Sequence, residues 1–272
     1  MIRARFGTLL VGSLLALGGL VALLMWPPGA LRDEAATPPL LIYCGAGIRA
    51  PVDAAAKEYE KEFGVPINFQ YGPSQTLVVQ AELSRSGDLL LPGDDTFMDL
   101  AREKGLIDQS TPLARMKPVL AVAKGNPKRV QSLDDLLKSD VRFAMPAPEA
   151  AAAGRLVQKA LEKSGDWERI KARTTVFKGT VNDVANDIKV GSVDAGFVWD
   201  VVVVQYAALE IVPIIQLAET DALVSVGILR SSPNSIAARR FMRYLAAKDR
   251  GLQLFKENGF EPLDGEPWVD AP

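Results

Sequence analysis

The chain has 272 residues, of which 48% are hydrophobic and 24% are charged, and its formal net charge is −2. This composition excludes a disordered chain, and the lack of a basic balance argues against a general nucleic-acid binder. The sequence holds no histidine and a single cysteine, Cys44, which we expect to be a small buried side chain. Catalysis through histidine, zinc sites built on imidazole, disulfides within the chain and cysteine-rich metal sites are therefore excluded.

The N-terminal segment has the pattern of a membrane helix. Residues 6–26 are uncharged and mostly apolar, and a helix of that length crosses a hydrocarbon core of ~30 Å. Arg3 and Arg5 precede it, which predicts a cytoplasmic N-terminus and an exported remainder. Within residues 1–30 we favour an uncleaved anchor over a signal peptide cut after Ala30, because the apolar run is longer than a signal peptide requires. Either way, the working domain lies on the periplasmic side of the inner membrane.

After a short linker at residues 31–39, the chain alternates strand-like apolar runs with helical patterns. The first run is residues 40–44, and a helical pattern follows from residue 52 to 63. Such alternation predicts an α/β fold with parallel-type sheets and helices on both faces. The further predicted strands are residues 67–71, 88–91, 119–122, 141–145, 174–177, 193–199, 211–217 and 222–229.

Ligands of open α/β sheets bind beyond the carboxyl ends of the strands, so the strand-to-helix loops are the candidate sites. Four loops combine small residues with a predicted helix start: residues 45–47, 72–74, 152–154 and 179–181. Free N–H groups and the helix dipole make such places favourable for anions. Glycine and serine are also ordinary loop and cap residues, so the four loops together carry more weight than any one of them.

Charged side chains near these loops have alternative interpretations. Arg49 and Arg155 follow the first and third loops, where a guanidinium could reach an anion, although arginine in such a position is more often solvated. Asp88, Asp94 and Asp95 could be mistaken for a carboxylate metal site, but turn and cap roles explain them better. We expect neither a bound metal cation nor a cofactor.

Several segments, together spanning nearly all of residues 40–262, resemble the periplasmic molybdate-binding proteins of ABC importers. They occur in the same order and with similar spacings. The segments are LLIYCGAG, AAAKEYEKEFGVPINFQYGPSQTL, DLLLPGDDTFMDLAREKGLI, VLAVAKGNPKRVQSLDDLL, PEAAAAGR, VGSVDAGFVWD and FMRYLAAKDRGLQLFKENGF.

The resemblance implies a two-lobed periplasmic-binding-protein fold with crossover hinge strands. Lobe one would comprise residues 40–117 and 222–265, and lobe two residues 118–221. The implied function is that of a monomer that captures a tetrahedral oxyanion, molybdate or tungstate, through neutral donors and passes it to an ABC permease with a separate ATPase. The chain has no G-x-x-x-x-G-K-[ST] phosphate loop, and we expect it not to be an enzyme.

Carried over position by position, the family's ligand contacts fall at five residues. The serine of the first loop falls at Gly47 and that of the second at Ser74, while the backbone donors of the other lobe fall at Ala153 and Val181. The family's tyrosine hydroxyl falls at Trp199. Gly47 and Trp199 depart from the family pattern, because glycine has no hydroxyl and tryptophan offers an indole N–H instead.

These departures leave alternatives open. The anion could be sulfate, phosphate or an organic anion, and the chain could be an anchored ligand-sensing domain instead of a transport component. An enzyme using paired aspartates is the remaining alternative, and it lacks a visible nucleophile and base. Ser74 is also placed to be a plain N-cap, and Trp199 ends an apolar run in which core packing is the ordinary role.

Overall fold

The computed structural model describes residues 38–270, so the predicted anchor and nearly all of the predicted linker lie outside the described range. The described residues form one six-stranded and one five-stranded sheet, with helices packed on them. Within that range, none of the helices combines the length and apolar character needed to cross a membrane. The two-sheet architecture confirms the α/β part of the predicted fold class.

The helices and strands follow the predicted alternation in most places. The strands are β1 (Leu40–Gly45), β2 (Ile67–Gly72), β3 (Leu89–Leu91), β4 (Ile107–Met116), β5 (Pro118–Ala123), β6 (Phe143–Pro146), β7 (Val176–Lys178), β8 (Ala195–Trp199), β9 (Leu209–Val212), β10 (Ala222–Leu229) and β11 (Glu261–Pro262). The helices are α1 (Arg49–Phe63), α2 (Ser74–Ser84), α3 (Asp95–Glu103), α4 (Leu133–Leu136), α5 (Ala152–Ser164), α6 (Trp167–Arg173), α7 (Val181–Lys189), α8 (Asp200–Gln205), α9 (Ser235–Ala246) and α10 (Gly251–Glu257). Short 3₁₀ turns cover Ala46–Ile48 and Ile215–Leu217.

The six-stranded sheet has the order β11-β4-β10-β3-β1-β2. Its central strand β1 pairs in parallel with β2 and β3, whereas β10 runs antiparallel to both β3 and β4. The expectation of parallel-type sheets is therefore confirmed for β1, β2 and β3 and wrong for the pairings of β10, β4 and β11. The physical reason is the chain path: β4 leaves the sheet at Met116 and β10 re-enters it at Ala222, directly opposite, so the returning strand must run the other way.

The five-stranded sheet, with the order β7-β6-β8-β5-β9, is also mixed. Strand β6 is parallel to β7 and β8, while β5 is antiparallel to β8 and β9. Only Lys117 separates β4 from β5, so the chain passes from one sheet to the other within a single residue. The first residue of β5, Pro118, pairs with the last residue of β8, Trp199.

Local sequence chemistry explains where the strand predictions fail. The predicted strand 211–217 is split, because Pro213 has no N–H for a ladder and the chain turns into the 3₁₀ segment after β9. Strand β4 was not predicted, since its sequence IDQSTPLARM is polar, contains Pro112 and is exposed over its first half. Residues Ser132 and Asp135 form a capping box at the start of α4, with the Ser132 side chain accepting from the Asp135 N–H.

Strand β1, which leads into the first loop of the site, is almost entirely buried. Leu40, Ile42 and Cys44 of β1 are 0% exposed, which rigidly fixes the loop that follows. The Cys44 thiol donates weakly to the Gly45 carbonyl at 3.6 Å, and burial raises its pKa well above the ordinary value. The interpretation of Cys44 as a small buried side chain is confirmed.

Candidate functional site

Loops from both sheets meet around one small cavity of about 20 Å³. On one side lie the loops after β1, β2 and β3, and on the other lie those after β6 and β7 with the end of β8. Every contributing loop therefore follows the carboxyl end of a strand, as expected for an α/β ligand site. The lining residues are Gly45, Ala46, Gly47, Gly72, Pro73, Ser74, Gly93, Ala151, Ala152, Ala153, Gly179, Thr180, Val181 and Trp199.

Helix starts point at this cavity from both sides. The 3₁₀ turn leading into α1 and the first residues of α2, α5 and α7 all belong to the lining. The N–H groups of Gly47, Ala153 and Val181 find no backbone or side-chain acceptor within residues 38–270. Unpaired N–H groups at helix starts carry partial positive charge, so the cavity is built to favour an anion.

Ser74 supplies a directed hydroxyl. Its Oγ accepts the Gly93 N–H at 2.9 Å, and the side chain is buried with 4% of the residue exposed. The Gly93 N–H uses one of the two lone pairs of this oxygen, and the hydroxyl proton has no acceptor among the described residues, so it is available for donation into the cavity. The N-cap of α2 is Pro73 and Ser74 is the first helical residue, so the plain N-cap interpretation is wrong.

Trp199 is both a core residue and part of the cavity wall. It is 2% exposed, and its indole packs against Gly47. A Cβ at position 47 would lie 2.5 Å from the Trp199 Cδ1 and 3.0 Å from its Nε1, closer than packed atoms tolerate. The indole N–H donates to no acceptor in the part of the chain that the structure describes, which leaves it available to a ligand.

A second capping box positions the loop before α7. The Thr180 hydroxyl donates to the Asp183 carboxylate at 2.7 Å and accepts the Asp183 N–H at 3.2 Å. The Thr180 N–H also donates to that carboxylate, at 3.2 Å. Although Thr180 lines the cavity, its polar groups are thus satisfied by Asp183, and the free donor of this loop is the N–H of Val181.

The start of α5 is held tightly against the end of β6. A Cβ at Gly154 would overlap the carbonyl group of Pro146, so only glycine allows this approach. The close contact places the N–H groups of Ala152 and Ala153 at the cavity wall.

Charged side chains stay out of the cavity lining. Arg49 donates to Asp53 at 3.0 Å and lies over the Tyr71 ring, 4.6 Å from its centroid. Arg155 lies over the Phe97 ring, 4.1 Å from its centroid. Neither arginine lines the cavity, so the structure does not bring them to the predicted ligand position.

The three aspartates have structural partners. Asp88 accepts the Leu41 N–H at 2.8 Å and the Ser232 hydroxyl at 2.6 Å. Asp94 accepts the Thr96 hydroxyl at 2.8 Å, and Asp95 accepts the Ser225 hydroxyl at 2.6 Å. Among the described residues, no group of three or more acidic, cysteine or histidine side chains is arranged to hold a metal ion.

The structure brings all five predicted ligand residues, Gly47, Ser74, Ala153, Val181 and Trp199, around the same cavity. Their contact with a ligand remains a prediction. Gly93 was not predicted, although the Pro92-Gly93 break after a buried strand marks a loop at the same sheet edge. Its contribution is a main-chain N–H, which every residue except proline has and which therefore leaves no sequence signal.

Two α/β sheets with a neutral, donor-lined cavity between their strand ends are the architecture of a ligand-binding protein. The chain belongs to the bacterial extracellular solute-binding protein family, which it matches over residues 40–261. This membership confirms the predictions of an extracytoplasmic binding protein and of a protein that is not an enzyme.

Individual relatives support the resemblance seen in the sequence. A binding protein of Haemophilus influenzae is 25% identical over 228 residues, covering 82% of this chain and 91% of that protein. The molybdate-binding protein ModA of Mycobacterium tuberculosis is 23% identical over 228 residues, covering 81% of this chain and 84% of ModA.

Solved structures share the fold. The periplasmic molybdate-binding protein of Azotobacter vinelandii has a TM-score of 0.71 at 20% identity, covering 83% of this chain and 100% of that one. The sulfate-binding protein SubI of M. tuberculosis has a TM-score of 0.72 at 16% identity, covering 84% of this chain and 88% of that one. At these identities the structures establish the common fold and leave the ligand open.

Proposed function

We propose that the chain is the solute-binding component of an ABC importer and that its cavity captures a tetrahedral oxyanion, with molybdate or tungstate as the cargo. The observation that carries this proposal is the lining itself: helix starts from both sheets present free N–H groups, and no charged side chain takes part. The ModA relatives, which are named for molybdate, support the choice of cargo.

The donors of the cavity suit an anion that carries no proton. The Ser74 oxygen already accepts one hydrogen bond, from the Gly93 N–H, Trp199 offers only a donor, and the Thr180 hydroxyl is paired with Asp183. Hydrogen phosphate must donate its own proton, and a buried donor without an acceptor costs about 1–3 kcal/mol. Molybdate, tungstate and sulfate need donors only, so we expect phosphate to bind more weakly than these.

Binding would be coupled to closure of the two lobes, residues 40–117 with 222–265 and residues 118–221. Asp200 is placed to act at the hinge, because its carboxylate accepts the Lys117 N–H at 2.9 Å and its own N–H donates to the Lys117 carbonyl at 2.9 Å. This pair joins the crossover between β4 and β5 to the end of β8. Hinge closure about such a crossover is the usual motion of two-lobed binding proteins.

In the cell, the closed monomer would dock on a permease that is driven by a separate ATPase. The N-terminal apolar segment, residues 6–26, would hold the protein at the periplasmic face of the inner membrane. An anchored sensor could use the same cavity. Loss of molybdate uptake on deletion of the gene supports transport, whereas unchanged uptake with altered gene expression supports sensing.

The direct test is thermal unfolding of the purified full-length chain with molybdate, tungstate, sulfate or phosphate at matched ionic strength. A ligand at ~1,000 times its Kd stabilises by about 4 kcal/mol, which raises the Tm by roughly 8–16 °C in a chain of this size. A shift with molybdate and tungstate supports the proposed cargo. A shift with sulfate alone keeps the site and changes the cargo, and no shift with any of the anions contradicts the proposal.

A further inference from the structure

One contact crosses between the two sheets without involving the cavity. Arg155, on α5 of the five-stranded side, places its guanidinium carbon 4.1 Å from the centroid of the Phe97 ring. Phe97 lies on α3 of the six-stranded side and is 0% exposed. Neither residue lines the cavity, so this cation–π contact does not depend on touching a ligand.

The same guanidinium acts on a buried acid of the opposite side. Asp94 directly precedes α3, and burial raises the pKa of its carboxyl, while the hydrogen bond from Thr96 and the positive charge of Arg155 oppose that rise. Asp94 is 2% exposed. Arg155 therefore faces an aromatic ring and a carboxyl group, and both belong to the other sheet.

A main-chain hydrogen bond joins the two sides nearby. The N–H of Gln75, in the first turn of α2, donates to the carbonyl of Ala150 at 3.1 Å. Ala150 belongs to the segment that leads into α5, and Arg155 lies on the first turns of that helix. The start of α5 thus bears ligand-facing N–H groups on one side and two contacts to the opposite lobe on the other.

From this arrangement, and resting on the proposed function, we propose that Arg155 is a positioning residue that holds the two lobes closed and thereby slows dissociation of the bound anion. Opening the cleft separates α5 from α3, so the contact with Phe97 exists only in the closed form. An anion enters the open form, where this contact is already absent. Arg155 should therefore affect the dissociation rate and leave the association rate unchanged.

The test measures association and dissociation of molybdate by stopped-flow tryptophan fluorescence on the full-length protein. Arg155→Ala is expected to raise the dissociation rate about 2- to 30-fold, the range of a cation–π contact, with an unchanged association rate. Arg155→Lys, which keeps the positive charge, should raise the dissociation rate less than Arg155→Ala does. Because Arg155 acts only in the closed form, the Tm of the ligand-free variant should match that of the wild type.

Arg49→Ala is the matched control. Arg49 also follows a helix-start loop and stacks on an aromatic ring, but its partners Tyr71 and Asp53 lie on its own side of the cleft. Its removal should leave the dissociation rate unchanged. An equal effect of both substitutions would indicate a general loss of positive charge near an anion and would overturn the role of Arg155.

A second variant keeps the test decisive if Arg155→Ala folds poorly. Phe97→Leu removes the ring and retains an apolar side chain, so it should raise the dissociation rate, and in a double-mutant cycle it should raise that rate less in the Arg155→Lys background than in the wild type. Wild-type binding with an unchanged rate in both Arg155→Ala and Phe97→Leu overturns this inference alone. Failure of the wild type to bind any oxyanion overturns the proposed function, and this inference with it.

Discussion

The Trp199 indole packs so closely on Gly47 that a Cβ at position 47 would lie 2.5 Å from the Trp199 Cδ1. These are the two positions at which the chain departs from the pattern of the molybdate-binding proteins that it resembles. The structure shows that the departures are linked, since the indole fills the place that a serine side chain would need. Gly47 and the Trp199 indole, whose N–H is a hydrogen-bond donor, lie side by side in the lining of the cavity.

This linkage predicts a strongly non-additive pair of substitutions. Gly47→Ser should destabilise the protein by about 1–3 kcal/mol, because the new side chain is forced against the indole. The loss should be smaller in a Trp199→Tyr background, where the ring is narrower, with a coupling of about 0.5–3 kcal/mol measured by denaturant unfolding. Gly72→Ser is the control, because a Cβ there meets only Leu77, at 3.5 Å, and should not couple to position 199. Strictly additive losses for positions 47 and 199 would contradict the linkage.

Ser74→Ala tests the directed hydroxyl. The substitution removes a donor to the anion, and a hydrogen bond to a charged group contributes about 1.5–3 kcal/mol, so binding should weaken roughly 10- to 150-fold. It also leaves the Gly93 N–H without its acceptor. Titration calorimetry with molybdate measures the change, and Ser86→Ala, at an exposed serine, is the control. Unchanged affinity would remove Ser74 from the site.

Gly154→Ala tests the close approach of α5 to β6. The added Cβ would collide with the Pro146 carbonyl group, which cannot move without disturbing the strand, so we expect a loss of about 1–3 kcal/mol in stability. Gly179→Ala is matched to it, because that position also lies in a helix-start loop but meets only the Pro73 ring, at 3.6 Å. Equal stability of the two variants in denaturant unfolding would show that Gly154 is not required for this packing.

Asp135→Asn tests a pH-dependent contribution to stability. The Lys138 ammonium, 2.6 Å away, and the Gln131 N–H hold the pKa of Asp135 at about 2 in the folded protein. Because this pKa lies below the unfolded value of about 3.9, the stabilisation is present above pH ~4 and is lost as the pH falls towards 2. The variant should be less stable at pH 7 and should show a flatter loss between pH 4 and 2 in acid unfolding.

Ser132→Ala provides the comparison for that measurement. It removes the hydroxyl half of the same capping box without removing a titrating group, so it should lower stability by about 0.5–2 kcal/mol. Because the Ser132 hydroxyl lowers the pKa of Asp135 less than Lys138 does, the pH dependence should change less than in Asp135→Asn. If Asp135→Asn lost stability between pH 4 and 2 as steeply as the wild type, Asp135 would not be the source of this pH dependence.

The sequence pattern identifies the loops that line the cavity because most of the strands before them are apolar runs with clear ends. Residues 40–44 and 222–229 are visible as strands for this reason, and the rule that ligands lie beyond strand ends then leads to Ser74 and Val181. The pattern fails for β4, which is polar over its exposed half and contains a proline. It also misses the antiparallel pairing of β10, because pairing direction depends on the path of the chain between the two sheets.

Two features of the site depend on tertiary contacts that local patterns do not record. Gly93 acts through its N–H on Ser74, and no residue type signals that role. The fit of Gly47 against Trp199 joins residues that are distant in the sequence, so each appears there as an isolated departure. The free hydroxyl proton of Ser74 likewise follows only from knowing which group occupies its oxygen.

Helix starts from two sheets meet at a cavity whose lining contains no carboxylate. Each start carries roughly half an elementary positive charge, so closing the lobes brings about two positive charges together. In the proposed function a dianion would cancel these charges, whereas their repulsion would disfavour a closed form without ligand. The closed shape would then report that the protein is loaded, and a membrane partner that engages only this shape would not be occupied by empty carriers.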